Sequence, residues 1–365
     1  MVNFIHILDN DYKEKRNSLF LGNRIGLIEN YRHEFEPIWR RYKILKSLDW
    51  SEDEIDITSC NSEFKKVDKE ISDLMIKTLA WQWEADSEAC HVGRILLPFV
   101  NNTELFCYLV ENMKNELLHS LSYKFIVEYS FDDPNVILDE ILSISQALKR
   151  LEKVESVFNE AYEVSLNYSL DKEKYSEEYL RKIILKTVIA LFTLERIQFI
   201  SSFAITFSLA EKGYFIPIAK LVQKICNDEL QVHVQADKDI LNIEMKNVET
   251  ISIFIESMEE IKEIIDEVVE TELNWLDFLF KDKEEIGGIY KNKIKEFVIY
   301  NAQDVYSFLN IENKFGNIVK NPLPFMNKWI VIDSHQSSPQ EESVANYLLG
   351  NFKDDSEEYF RNLKL

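Results

Sequence analysis

Four acidic side chains and two histidines fall on helical stripes that are otherwise apolar. Asp86 lies on the stripe Leu79, Trp83, Asp86, Cys90, at steps of four, three and four, which keep residues on one helix face. Glu84 and Glu88 sit two residues to either side, about 200° round the helix at roughly 100° per residue, and are expected to point outward. Glu116, His119 and Tyr123 share a second stripe with Leu109, Met113, Ile126 and Val127. Glu195 is flanked at helical spacing by Val188, Leu191, Phe199 and Phe203. Glu229 and His233 lie four apart, between Ile225 and Leu241. A carboxylate buried without a partner is costly enough that it ordinarily takes up a proton. Four in one core need positive charge among them, and two divalent ions would balance them. Carboxylate with imidazole suits iron or manganese rather than thiolate-bound zinc.

Each element alone is weak, since a single ExxH is often a surface accident and a single acid on an apolar stripe is often half of an ion pair. Their order, one set to each of four helices, gives them weight. A single carboxylate from each of two helices and a carboxylate-plus-histidine pair from each of two others is the layout of ferritin-like di-iron carboxylate proteins. Tyr123 lies one turn beyond His119, about 6 Å along the axis at 1.5 Å per residue. Beside an oxidising metal pair it is a candidate one-electron donor, and Phe199, Phe203 and Ile225 could supply a dry wall. His6, His33, His91 and His335 have no carboxylate at ligand spacing on an apolar face and read as structural or surface residues.

The elements that must position these residues are helices. The chain has 365 residues with only 8 Gly and 7 Pro, too few for the frequent turns of an all-β protein. A residue content 46% hydrophobic excludes a disordered chain. An all-α fold is expected: a partly irregular N-terminal arm over 1–50, a ferritin-like helical bundle over 51–320 and an extended tail over 321–365. Asn102-Thr103 and Asp133-Pro134 carry helix-start signals. Long helices are expected from Tyr179 to Lys212, ended by Gly213-Tyr-Phe-Ile-Pro217, and from Ile218 to Leu241, with two more near 250–280 and 284–310. The apolar stretch Thr187–Ala210, interrupted by Glu195 and Arg196, reads as a buried core helix rather than a membrane span.

With 64 acidic against 42 basic residues, the formal charge is −22, which argues against nucleic acid and anionic membranes as partners. The four cysteines form no CxxC pair and read as buried reduced thiols. With no signal peptide in MVNFIHILDNDYKEK, a cytoplasmic location is expected.

Several motifs, in order, carry a resemblance. They are Leu48-Asp-Trp50 followed by EIDIT, the Asp86 helix, NELLHSLSY ending at Tyr123, DDPNVILDEI, LERIQFISSFA around Glu195, NDELQVH around Glu229, NPLPFMNKW and PQEESVANYLLG. On these the chain resembles the radical-generating small (beta) subunit of class I ribonucleotide reductase, of the bacterial and phage class Ia type, from about residue 35 to the C-terminus. The resemblance implies that Asp86, Glu116 and His119 ligate one metal, with Glu116 bridging to the second, and that Glu195, Glu229 and His233 ligate the other. It implies two metal ions per chain, iron first and manganese as the alternative, and Tyr123 as the radical tyrosine. Trp50 matches the tryptophan that supplies an electron, and Asp228 the carboxylate that links it to His119. Tyr347 matches the tail tyrosine that relays the radical, and Glu341 the glutamate near it. Implied partners are a second copy of the chain, a large subunit that holds the nucleotide and is docked through the tail, and a reductant protein. Tyr359, Phe360, Leu363 and Leu365 would anchor the tail, with Asp354–Glu358 steering it. The family usually places the second histidine at i+3, whereas Glu229 and His233 are at i+4. Both spacings stay within about 60° of a full turn, and a π-bulge would absorb the extra residue. Two alternatives stay open: another ferritin-like dimetal oxidase, and a metal-free helical scaffold that binds a partner.

Overall fold

The computed structural model describes residues 17–22, 25–28 and 34–330. Tyr347, Glu341, the tail anchors and His6, His33 and His335 lie outside them. Four helical rods surround the site. The first is α3 (Lys69–Ala89), which follows α1 (Glu36–Ser47) and the short α2 (Ser59–Phe64). A single turn, α4 (Val92–Leu96), leads to the second rod, α5 (Thr103–Ser130). Two outer helices, α6 (Pro134–Leu142) and α7 (Ser145–Leu170), lead to the third. That rod is α8 (Glu177–Thr193) and α9 (Phe199–Glu211), joined by a π turn over Leu194–Gln198. The fourth is α10 (Ile216–Asp228) and α11 (Val234–Glu244), joined by a second π turn over Glu229–His233. Contacts run from α3 to α5, α5 to α10, α10 to α9 and α9 back to α3, which closes the bundle, and the two π turns touch each other.

Outside it lie α12 (Val248–Glu256), α13 (Met258–Phe280) and α14 (Lys291–Leu309), with α13 packed on α7 and α14 on α9. A two-residue hairpin, β1 (Glu285–Ile286) with β2 (Ile289–Tyr290), precedes α14, and α15 (Met326–Trp329) ends the described chain.

Local signals explain most boundaries. The Asn102 side chain accepts a hydrogen bond from the Leu105 N–H at 2.9 Å and donates to the Leu19 carbonyl at 2.9 Å. It therefore caps α5 and ties the N-terminal segment to it. Asn102→Ala is expected to lower stability by about 1–2 kcal/mol, read from the midpoint of urea unfolding at constant slope. Gly213, at φ +88°, ends α9 with Schellman-type bonds from Gly213 N–H to Ala210 and from Tyr214 N–H to Leu209. Every residue of α9 from Phe199 to Ala210 is buried, and among the described residues no helix is long and apolar enough to cross a membrane.

Five expectations need correction. Residues 36–47, assigned to a partly irregular arm, form α1, which packs along α5. The two long helices are each interrupted by a π turn at a candidate ligand. The segment near 250–280 is two helices split at Ser257, and the Gly287-Gly288 hairpin before α14 was not expected. Glu84, expected to point outward, is only partly exposed. Both its oxygens are buried without a hydrogen-bond partner, and burial, against the pull of Arg150, raises its pKa to about 7.

Candidate metal centre

Each rod delivers its acid to the interior. Asp86 comes from α3, Glu116 and His119 from α5, Glu195 from the first π turn, and Glu229 and His233 from the second. All six are essentially excluded from solvent. A π turn adds one residue to the helical circuit, which is how Glu229 and His233 face one point at i+4. His233 Nδ1 lies 3.2 Å from Glu229 Oε2, 3.1 Å from Glu116 Oε1 and 4.0 Å from Glu195 Oε1. His119 Nδ1 lies 2.9 Å from Glu229 Oε1 and 3.5 Å from Glu116 Oε2.

Two overlapping ligand groups result. Asp86, Glu116, His119 and Glu229 form one, and Glu116, Glu195, Glu229 and His233 the other, each with its donor atoms within 4.8 Å of one another. Glu116 and Glu229 belong to both groups. The donors also fit a metal by what they fail to do. Both Asp86 oxygens, Glu116 Oε2, His119 Nδ1, Glu195 Oε2 and Glu229 Oε1 are buried with no hydrogen bond. Hard or borderline divalent cations suit this oxygen and nitrogen set.

The electrostatics of the protein alone agree. Burial pushes the Asp86 and Glu195 carboxyls well up, Glu195 further because of Asp237 and Glu229. Burial also opposes the charge on Glu116, but His233 and His119 outweigh it and hold that carboxyl at about 2. Burial disfavours the imidazolium of His233, yet Glu229 and Glu116 raise its pKa to about 10. The same burial opposes the imidazolium of His119, yet Asp228, Glu116 and Glu229 hold its pKa well above the ordinary value. Metal binding to donors held toward their protonated forms would release those protons.

A second line of contacts leaves the cluster through His119. Its Nε2 is 3.2 Å from Asp228 Oδ2, and the same oxygen accepts from Trp50 Nε1 at 2.7 Å and from Asn115 Nδ2 at 3.0 Å. The Trp50 and His119 rings stack with centroids 6.1 Å apart. Tyr123 is fully buried and its hydroxyl has no hydrogen-bond partner. Burial, then Asp86 and Glu229, push its pKa far above that of a free phenol. Phe199, Phe203 and Ile225 are fully buried as well. His91 is exposed, and all four cysteines are free; Cys60 and Cys226 are buried as expected, but Cys90 and Cys107 are only half-buried.

The sequence reading missed two participants. Asp237, four residues after His233, lies against Glu195, and burial lifts its pKa to about 8. Its place one turn past a ligand was the available signal. Asn115, next to Glu116, holds Asp228 and carried no signal of its own.

A family model described as "Ribonucleotide reductase, small chain" matches residues 28–322. The beta subunit of the ribonucleoside-diphosphate reductase of Haemophilus influenzae is 26% identical over 355 residues, covering 93% of this chain and 94% of the relative. The R2 subunit of ribonucleotide reductase from Clostridium botulinum superposes with a TM-score of 0.70 at 18% identity, over 86% of this chain and 94% of that one. The dimanganese(II) NrdF protein of Streptococcus sanguinis gives 0.65 at 15% identity, over 85% and 100%.

Proposed function

The chain belongs to the ribonucleotide reductase small-chain family, and from that premise we propose that it generates and stores a radical at Tyr123 for a separate large subunit that reduces ribonucleoside diphosphates. The observation that carries this reading is the unbroken line Trp50–Asp228–His119, which enters a buried six-ligand cluster on the helix that also carries Tyr123. Asp86, Glu116, Glu195 and Glu229 with His119 and His233 would hold two metal ions, iron in this proposal, and manganese accepts the same donors. The bound metals supply the capacity to use dioxygen as a one-electron oxidant.

The protein's own residues do the rest. Tyr123 cannot lose its proton first, because burial and the neighbouring carboxylates oppose a phenolate. Electron and proton therefore leave together. The apolar walls keep water and reductants from the resulting neutral radical. Trp50 supplies a second electron, and Asp228 fixes both the indole N–H and the His119 ring, so that Nδ1 of the imidazole faces the metals. Trp50, Asp228 and Tyr347 then form the route by which the radical equivalent travels to the large subunit. Glu341 is proposed beside Tyr347, the tail as the docking segment, and a homodimer as the assembled form.

The test is an electron paramagnetic resonance spectrum after anaerobic Fe(II) loading and exposure to oxygen. A tyrosyl signal accompanied by two bound metals per chain is expected. Two bound metals without any tyrosyl signal would favour a different dimetal oxidase.

A further inference from the structure

Lys224 is a fully buried lysine. It sits on α10 one turn before Asp228, and residues four apart share a helix face. The same helix therefore presents two charges to one ring. The Asp228 carboxylate accepts the hydrogen bond of the Trp50 indole, while the Lys224 ammonium lies 5.6 Å from the centroid of that indole. Glu54 holds the ammonium through an ion pair. Glu54 is itself fixed, since its Oε1 accepts the Ser51 N–H at 3.1 Å while Oε2 takes Lys224. It stands four residues after Trp50, in the short turn Glu52–Glu54. The arrangement is thus closed: Trp50 to Asp228, along α10 to Lys224, across to Glu54, and back along the chain to Trp50.

We propose that Lys224, anchored by Glu54, is a positioning residue that fixes the electrostatic potential at the Trp50 indole and so sets how readily that ring gives up an electron. The inference rests on the reading of Trp50 as the electron donor. In that step the indole is oxidised by one electron and the dioxygen-oxidised metal pair is reduced by one, with the N–H proton remaining against Asp228. A cation over an aromatic face stabilises the neutral ring and opposes positive charge on it. In a site from which water is largely excluded, such a charge acts with little screening. The pair thereby gives a two-sided prediction. Without the ammonium, Glu54 and Asp228 both favour an oxidised indole. Without the carboxylate of Glu54, the ammonium opposes it uncompensated.

The test follows the transient indole radical optically after rapid mixing of Fe(II)-loaded full-length protein with oxygen. Wild type is compared with Lys224→Met, Lys224→Arg, Glu54→Gln and Trp50→Phe. The same variants, metal-free, are oxidised by flash photolysis with a soluble ruthenium polypyridyl photo-oxidant, and the part of the signal lost in Trp50→Phe is scored. Lys224→Met is expected to lengthen the indole radical's lifetime about tenfold, Glu54→Gln to shorten it by a similar factor, and Lys224→Arg to stay near wild type. Shifts of opposite sign are what general damage to packing would not produce. If Lys224→Met does not fold, Glu54→Gln still carries the sign test. Unchanged lifetimes in both variants, or changes in the same direction, overturn the proposal. Opposite shifts in the metal-free protein, with no Trp50-dependent signal in the metal-loaded protein, uphold the electrostatic pair and overturn instead the donor role of Trp50.

Discussion

Tyr123→Phe is expected to remove the tyrosyl signal completely while leaving two metals bound per chain. The substitution deletes one hydroxyl that has no hydrogen-bond partner, so no hydrogen bond is lost. The phenyl ring still fills a fully buried position. Removing a buried, unpaired polar atom is close to neutral for stability. Loss of radical with retained metal and an unchanged melting temperature separates the tyrosine's chemistry from the integrity of the site. Metal analysis, the resonance spectrum and a thermal melt on the same preparation check it. A tyrosyl signal of undiminished size would move the radical to another of the 16 tyrosines.

The largest stability effect is expected at Arg150, remote in sequence from every ligand. Its guanidinium lies between the rings of Trp81 and Trp275, at 3.5 and 4.7 Å from their centroids, and pairs with Glu272. It also donates to the Gln198 carbonyl at 2.9 Å, which takes a second bond from Trp81 Nε1 at 3.3 Å. Gln198 closes the π turn that carries Glu195. Both charges are buried: burial lowers the Arg150 pKa to about 10, and it raises that of Glu272. Arg150→Leu leaves a carboxylate in the core without its cation, and should cost about 3–5 kcal/mol. Arg150→Leu with Glu272→Leu should recover part of that loss, because neither charge is then stranded. Urea unfolding measures both. A single-variant loss below about 1 kcal/mol would mean that water reaches Glu272.

The ligand set was legible because it violates patterning. Acids on apolar stripes at Asp86, Glu116, Glu195 and Glu229 cannot be accounted for by solvation, and the one-residue surplus between Glu229 and His233 pointed to the π turn found there. The π turn at Glu195 left no such trace, since no second ligand within Leu194–Gln198 marks the spacing. Glu84 was misplaced for a related reason. Helical angle gives direction relative to its own axis, not what packs against that side, and α7 brings Arg150 to it from 66 positions further on. The helix over 36–47 is faint in the sequence because Glu36–Ser47 buries only Ile38 and Leu45, too few to stand out from a polar segment. The pairings among Lys224, Glu54 and Trp50, like that between Asn115 and Asp228, join residues far apart in the chain, and only the fold could bring them together.

The most direct measurement is anomalous X-ray scattering at the iron and manganese edges from crystals of the metal-loaded protein. Two peaks are expected, both within reach of Glu116 and Glu229, one facing Asp86 and His119 Nδ1 and the other facing Glu195 and His233. A single peak, or metal bound only at surface carboxylates with the six buried side chains left apart, would contradict the account.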